Sequence, residues 1–307
     1  MGEENILAIM GSPGSGKTVM AVKLARTLAA KKKNVIVVFC DPFTPPIPAL
    51  VSHKTVHDVS LGTLLTAPGL EQEGILKACV PAVGSEHLGL LGYRSGESLM
   101  NYPKVTHDKA MELFVSLRYL AEYVIIDCAT VFEADPASLV AIEAADRVLG
   151  VGTANLKGIS WFQTHLPMLA DRRYCREKHQ WAIGNLKEGQ DWEAVSCQYG
   201  GVEYVLPYTT ELEQQGNELN LFEPLFSAEG GSYQAQINRI LFDIFEFQAT
   251  QACAIGEKRS KVKRQRTERS PKVVNDHSIM RSEVVKPQQE RKKRQGFKMS
   301  FRNRGEF

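Results

Sequence analysis

The chain has 307 residues, 43% of them hydrophobic, enough for one sizeable core with an appendage. No run of eighteen apolar residues occurs, which excludes a membrane-spanning helix of ordinary length. The charge is lopsided: residues 257–307 hold 17 Lys/Arg against 6 Asp/Glu, a net +11, while residues 1–256 hold 20 against 29, a net −9. The start, MGEENILAIMGS, lacks the basic region and long apolar stretch of a signal peptide, and no Ser or Thr follows Gly2 where a myristoylation signal needs one. The six cysteines (Cys40, Cys79, Cys128, Cys175, Cys197, Cys253) form no CxxC pair. They read as thiols of a reducing compartment, so a cytoplasmic location is expected. His53 and His57, four apart without HExxH chemistry, read as ordinary surface.

In chain order, the apolar run NILAIM (5–10) predicts a strand, followed by a Gly/Pro/Ser turn. Val19, Val22, Leu24, Ala25 and Leu28 then predict a helix over 17–31 that stops at the polar KKKN. VIVVFC (35–40) is a β-branched run without alternation, as expected of a strand covered on both faces. Similar runs recur at 87–93, 123–128, 147–152, 181–185 and 203–207. Helical patterns lie between most of them, at 107–122, 136–145, 159–171 and 191–200. Tyr233, Ile237, Ile240, Leu241, Ile244 and Phe245 predict a long amphipathic helix that docks on the sheet. Strand alternating with helix predicts an α/β fold with a doubly wound, mostly parallel sheet. After Gly256 the composition turns polar and basic, so the expected division is a folded domain over 1–256 and a disordered basic tail over 257–307.

The turn after the first strand reads GSPGSGKT (11–18), which fits G-x-x-x-x-G-K-[ST] between a predicted strand and a predicted helix. Gly11, Ser12, Pro13, Gly14, Ser15 and Gly16 can curl so that successive N–H groups face one point, and the helix N-terminus adds its partial positive charge. Lys17 suits the β- and γ-phosphates, and Thr18 can place its hydroxyl on Mg²⁺. Asp127 ends the strand YVIIDC, at the edge of a parallel sheet where ligands bind, and is the second candidate for the metal. Asp41 ends VIVVFC and is read either as the group that positions an attacking water or as a turn cap.

This order of features resembles the ParA/MinD family of dimer-switch ATPases over roughly residues 5–247. Asp41-Pro42 in VVFCDP matches the family's second-strand ending, with Phe39 where that family has another Asp. YVIIDCAT resembles its viiD strand and second switch segment, SLGTLLTA (60–67) its short helical segment after the first switch, and WAIGNLK the strand whose Asn reads the adenine edge, a role the resemblance gives to Asn185. VLPYTTELEQQGNELNLFEPL resembles the segment that closes the nucleotide pocket and gives Pro207 a place in it. The implied cofactors are ATP and Mg²⁺, the implied catalytic residues Lys17, Asp41 and Asp127, and the implied partner a second copy in an ATP-dependent homodimer. The family's loop carries a lysine that crosses to the partner's phosphates; here that position is Ser12, followed by Pro13. Another basic residue such as Arg94 could substitute, or hydrolysis is slow. Similar erosion of the motif is found in the TadZ/CpaE branch.

The function expected from the resemblance is an ATP-driven switch controlling partner binding in partition, positioning or secretion and pilus assembly. Two alternatives stay open. One is a small-molecule kinase or ATP-dependent ligase with a substrate pocket near 92–106; the other is a nucleotide-binding scaffold without turnover. The guanine-reading Asn-Lys-x-Asp pattern is absent, since Leu186 separates Asn185 from Lys187. The tail's basic clusters suit DNA, RNA or an anionic membrane, with Phe297, Met299 and Phe301 as shallow membrane anchors. The tail would then place the protein at a membrane or nucleoid surface.

Overall fold

The computed structural model describes residues 4–51 and 59–247. His53, His57, Cys253 and the basic tail lie outside the described residues. The strands are β1 (Ile6–Gly11), β2 (Val35–Phe39), β3 (Val80–Pro81), β4 (Leu88–Gly92), β5 (Tyr123–Asp127), β6 (Arg147–Gly152), β7 (His179–Leu186) and β8 (Tyr204–Pro207). The helices are α1 (Lys17–Ala29), α2 (Ile47–Leu50), α3 (Leu61–Thr66), α4 (Gln72–Ala78), α5 (His107–Leu120), α6 (Pro136–Ala144), α7 (Leu156–His165), α8 (Trp192–Tyr199), α9 (Thr210–Asn217) and α10 (Ala228–Phe245). The strands form one sheet in the order β3-β4-β2-β5-β1-β6-β7-β8, parallel except for β3 against β4.

The continuous apolar strands do what their composition requires. In β1, Ile6, Ala8 and Met10 enter one core with residues of α3, α5 and α6, while Leu7 and Ile9 enter the other with α1 and α10. This strand thus feeds two cores, and no side chain of β1 reaches solvent. The helices begin where short polar side chains cap them: Thr106 accepts from Lys109 N, Asp135 from Ser138 N, Asn155 from Gly158 N and Ser227 from Gly230 N. The amphipathic face of α10 packs on α1 and β8, as its spacing predicts.

Two local departures have simple causes. The helical pattern of 159–171 yields α7 only to His165, and Leu166–Ala170 tightens into a 3-10 turn because Pro167 cannot continue the α-helical ladder. The antiparallel edge strand β3 has two residues, too few to leave a periodic signal, and Pro81 is tolerated there because an edge needs no full ladder.

The register brings the chemistry to one edge. Asp127 lies opposite Ile9 of β1 and Phe39 of β2, Gly11 opposite Val151, and Gly152 opposite Ile183. The C-terminal ends of β1, β2, β5, β6 and β7 therefore share one rim, with Asp41 and Asn185 two residues beyond their paired positions. An aromatic cluster supports the β6–β7 side: Phe162 stacks on Tyr199 at 4.0 Å and meets Trp161 and Trp181 edge-on at 5.1 and 5.2 Å. Phe162→Ala is expected to cost about 3–5 kcal/mol of stability, read by denaturant unfolding, because the rigid sheet above it cannot collapse into the cavity.

Candidate nucleotide site

The loop between β1 and α1 is built on the absence of side chains. Gly14 (φ 72°) and Gly16 (φ 83°) are in the left-handed region, and Gly16 caps α1 in that conformation. A Cβ on Gly11 would strike the Val151 carbonyl oxygen, and one on Gly184 would strike the Ser15 carbonyl oxygen. The loop lies directly on β6 and β7, anchored by Ser12 N donating to Val151 O at 3.0 Å. These constraints leave the backbone N–H groups at the start of α1 as the natural anion seat.

Ser12 is fully buried, with its hydroxyl 3.4 Å from Thr153 Oγ1. It faces into the protein. Pro13 and Gly14 are the exposed crest of the loop. Arg94, the other basic residue considered, is paired within its own loop. Its guanidinium is held by Glu97 at 2.7 Å, and Glu97 also accepts from Tyr102 Oη at 2.6 Å, so the loop at 94–102 closes on itself.

Thr18 Oγ1 donates to Asp127 Oδ2 at 2.6 Å, beneath the loop. Asp127 is 2% exposed, and its other oxygen, Oδ1, has no partner. Burial pushes the Asp127 carboxyl up to about 6; Lys17 and the Thr18 hydroxyl oppose the rise and Asp41 adds to it. A buried carboxylate with a free oxygen beside a hydroxyl fits a hard divalent cation, which takes few protein ligands and completes its shell with water and phosphate. Thr18 and Asp127 are the residues that could hold Mg²⁺. No larger cluster of metal-binding side chains occurs among the described residues.

Lys17 Nζ donates to Thr130 Oγ1 at 2.6 Å, and Trp161 Nε1 of α7 donates to Thr130 O at 2.9 Å. The start of α6 holds the same segment: Asp135 Oδ2 accepts from Ser138 Oγ at 2.6 Å, and Ser138 Oγ accepts from Ala129 N at 2.8 Å. Asp135 is 1% exposed and is likewise pushed up to about 6, mainly by burial. Sequence reading did not single out Thr130, Asp135 or Ser138. The Asp135-Pro136 pair was a visible helix-start signal, but its link to the strand end is a tertiary contact.

Asp41 occupies the rim in a second way. Its Oδ1 accepts from Phe43 N (2.8 Å) and Thr44 N (3.1 Å), and its Oδ2 from Thr44 Oγ1 (3.0 Å). These are the bonds of a turn cap, made close enough to Asp127 for the two charges to interact. On the far side of the loop, Asn185 (φ 55°) donates from Nδ2 to Gly14 O at 3.2 Å. Asn185 and Pro207 line a pocket with Gly16, Val19, Leu212 and Tyr233. The structure thus brings Gly11–Thr18, Asp41, Asp127, Asn185 and Pro207 together at one rim.

No family model and no curated protein matches the sequence. Solved structures do match. A ParA family ATPase from Chlorobium tepidum is similar with a TM-score of 0.62 at 14% identity, over 77% of this chain and 97% of that one. MinD of Pyrococcus horikoshii, complexed with Mg-ADP, gives 0.59 at 15%, over 77% and 95%. McdA of Cyanothece, in a variant complexed with ATP, gives 0.60 at 18%, over 78% and 97%. The chain has the fold of the ParA/MinD ATPases. On that fold the Thr18–Asp127 pair lies beneath the loop of residues 11–18, and the pocket lined by Asn185 and Pro207 lies beside it.

The raised Asp127 carboxyl makes a stability prediction with a definite sign. Its folded value of about 6 exceeds the ordinary 3.8, so the folded state keeps a proton that the unfolded chain has released, and stability falls as pH rises through that window. Asp127→Asn removes the cost. It is expected to stabilise the nucleotide-free protein by about 1–3 kcal/mol at neutral pH, with the gain fading toward pH 4, as read by thermal unfolding at both ends.

Proposed function

We propose that this chain is an ATP-dependent molecular switch of the ParA/MinD type, binding Mg-ATP and hydrolysing it slowly to control association with a partner. The observation that carries the reading is the unpartnered, buried Oδ1 of Asp127 beside the Thr18 hydroxyl, at a loop whose Gly14 and Gly16 take left-handed backbone and whose Gly11 has no room for a side chain. Bound Mg²⁺ would neutralise phosphate charge, with Thr18 and Asp127 on its protein side. Lys17 is assigned to the phosphates and Asn185 with Pro207 to the adenine end. The Mg-ADP and ATP complexes of MinD and McdA support the choice of ligand.

The switch follows from the bond between Lys17 and Thr130. Phosphate oxygens compete for the Lys17 ammonium, so ATP draws it from Thr130 and alters the restraint on 128–135, which Trp161 connects to α7. Pro13, Phe43, Val131 and Leu156 are exposed around the mouth, on the loop, the segments after β2 and β5, and α7. This rim is the surface assigned to a second copy. A buried Ser12 cannot reach across such an interface, which supports slow turnover. Control of partition, positioning or pilus assembly is the corresponding biological reading, and the basic tail is assigned to a polyanionic surface, DNA or anionic membrane, as a tether.

The turn bonds of Asp41 favour one competing reading, a nucleotide-binding scaffold without turnover. Release of ADP by the wild-type protein separates the two readings, and Asp41→Ala then tests the role of the residue. If Asp41 positions water, the variant keeps ATP affinity and loses turnover; turnover equal to wild type leaves Asp41 as a turn cap only.

Lys17→Ala is expected to weaken Mg-ATP binding about tenfold to hundredfold in calorimetry, the equivalent of one charge-assisted contact. Unchanged affinity would overturn the site. Gel filtration with ATP, with ADP and without nucleotide tests the second copy, which is expected to associate with ATP alone.

A further inference from the structure

Away from the phosphates, an unusual group of buried polar contacts gathers around one lysine. Lys23 lies on α1 and is 1% exposed. Its Nζ donates to Gln215 Oε1 at 2.6 Å and to Leu221 O and Glu223 O, both at 2.8 Å. Three protons meet three acceptors, so the ammonium is satisfied without water. Gln215, on α9, donates from Nε2 to Pro224 O at 3.0 Å, and Arg26 of α1 donates through Nε to Phe222 O. Four consecutive carbonyls, from Leu221 to Pro224, are therefore held by side chains of α1 and α9. Thr27 Oγ1 donates to Lys23 O at 2.8 Å and accepts from Gln234 Nε2 of α10 at 3.0 Å, tying the third helix to the same knot.

The same three helices wall the pocket beside the phosphate loop. Gly16 and Val19 come from the start of α1, Leu212 and Glu213 from α9, and Tyr233 from α10. Gln215 is only three residues beyond Leu212. We infer that Lys23 is a positioning residue: by clamping α9 and the segment 221–224 to α1 it fixes the width of the pocket and so sets affinity for the nucleoside end of the nucleotide, while the phosphates are held independently by residues 11–18. The inference rests on reading this pocket as the base side of an ATP site and goes beyond it, since Lys23 touches neither base nor phosphate.

Chemistry gives the clamp a pH dependence. Burial draws Lys23 down to about 8, helped by Arg26 on α1 and opposed by Glu211 on α9 and Glu223 in the clamped segment. A neutral amine keeps two protons for three acceptors, so raising the pH through that value removes one hydrogen bond and the charge from all three. Affinity for the base end should fall with rising pH. Tyr208, at the pocket wall, does not confuse the reading, because its hydrogen bond to Glu213 holds its hydroxyl above the ordinary value.

The test is calorimetry on the full chain with Mg-ATP and with Mg-tripolyphosphate, which has no base, at about pH 7 and about pH 9.5. The ratio of the two affinities cancels effects on Lys17 and on the phosphates themselves. The expected result is that ATP loses about threefold to tenfold relative to tripolyphosphate on going to the higher pH, the worth of one hydrogen bond. Lys23→Met should show the lower ratio at both pH values. Arg26→Gln, which removes the neighbouring cation, should move the fall to higher pH, an effect a merely structural role would not produce. A ratio that stays flat in the wild-type protein overturns the clamp even if Lys23→Met fails to fold. If the wild-type protein binds neither compound, the ATP reading falls and takes this inference with it; binding of both with a flat ratio removes the inference alone.

Discussion

A buried carboxylate with one oxygen unsatisfied is the constraint around which this molecule is arranged. Left alone, Asp127 would be a liability: its burial disfavours the charge, and Asp41 on the same rim adds repulsion. The fold tolerates it because Lys17 and Thr18 arrive from the adjacent loop, and they arrive only because β1 lies between β5 and β6 in a parallel sheet. The glycines at 11 and 184 follow from the same requirement, since the loop must lie against β6 and β7 to carry Lys17 and Thr18 to the end of β5. Instability at this point is what a metal and a polyphosphate would relieve.

Around this centre the polar groups form two separate systems. One runs from Lys17 through Thr130 to Trp161, with Asp135, Ser138 and Ala129 bracing the same segment from α6. Its first bond, from the Lys17 ammonium to the Thr130 hydroxyl, is one for which a phosphate oxygen would compete, whereas the bonds of Trp161 and Ser138 hold the backbone of the segment. The other is the knot around Lys23, buried and directed mostly at backbone carbonyls. It has no bond to the phosphate loop and suits a part that keeps its shape.

The serine at position 12 is coherent with its surroundings. The side chain is directed inward to Thr153, and the loop's exposed crest is Pro13 and Gly14. Nothing at this position projects charge toward a neighbour, and Arg94 is committed to Glu97 within its own loop. Phe43 and Leu156 are among the exposed apolar side chains near the loop.

The sequence by itself determined the layers and the loop. Unbroken β-branched runs require a sheet covered on both faces, and the pattern of residues 11–18 between a strand and a helix is local chemistry that needs no distant partner to be legible. Asp127 was legible for the same reason, as an acid ending an apolar strand. Only tertiary structure decided which neighbours these residues have. The strand order puts Asp127 beneath Thr18, Ser138 under Ala129, and Asn185 against Gly14, pairs separated by between 9 and 171 positions in the chain. It also turned Asp41 into a cap as well as a rim acid, which its sequence had left open. Lys23 is the clearest case. In sequence it is one more polar residue on a helix, and nothing local distinguishes it from Lys31; it is buried because the segment 221–224, about two hundred residues later, brings its carbonyls to the one place on α1 where an ammonium can satisfy them.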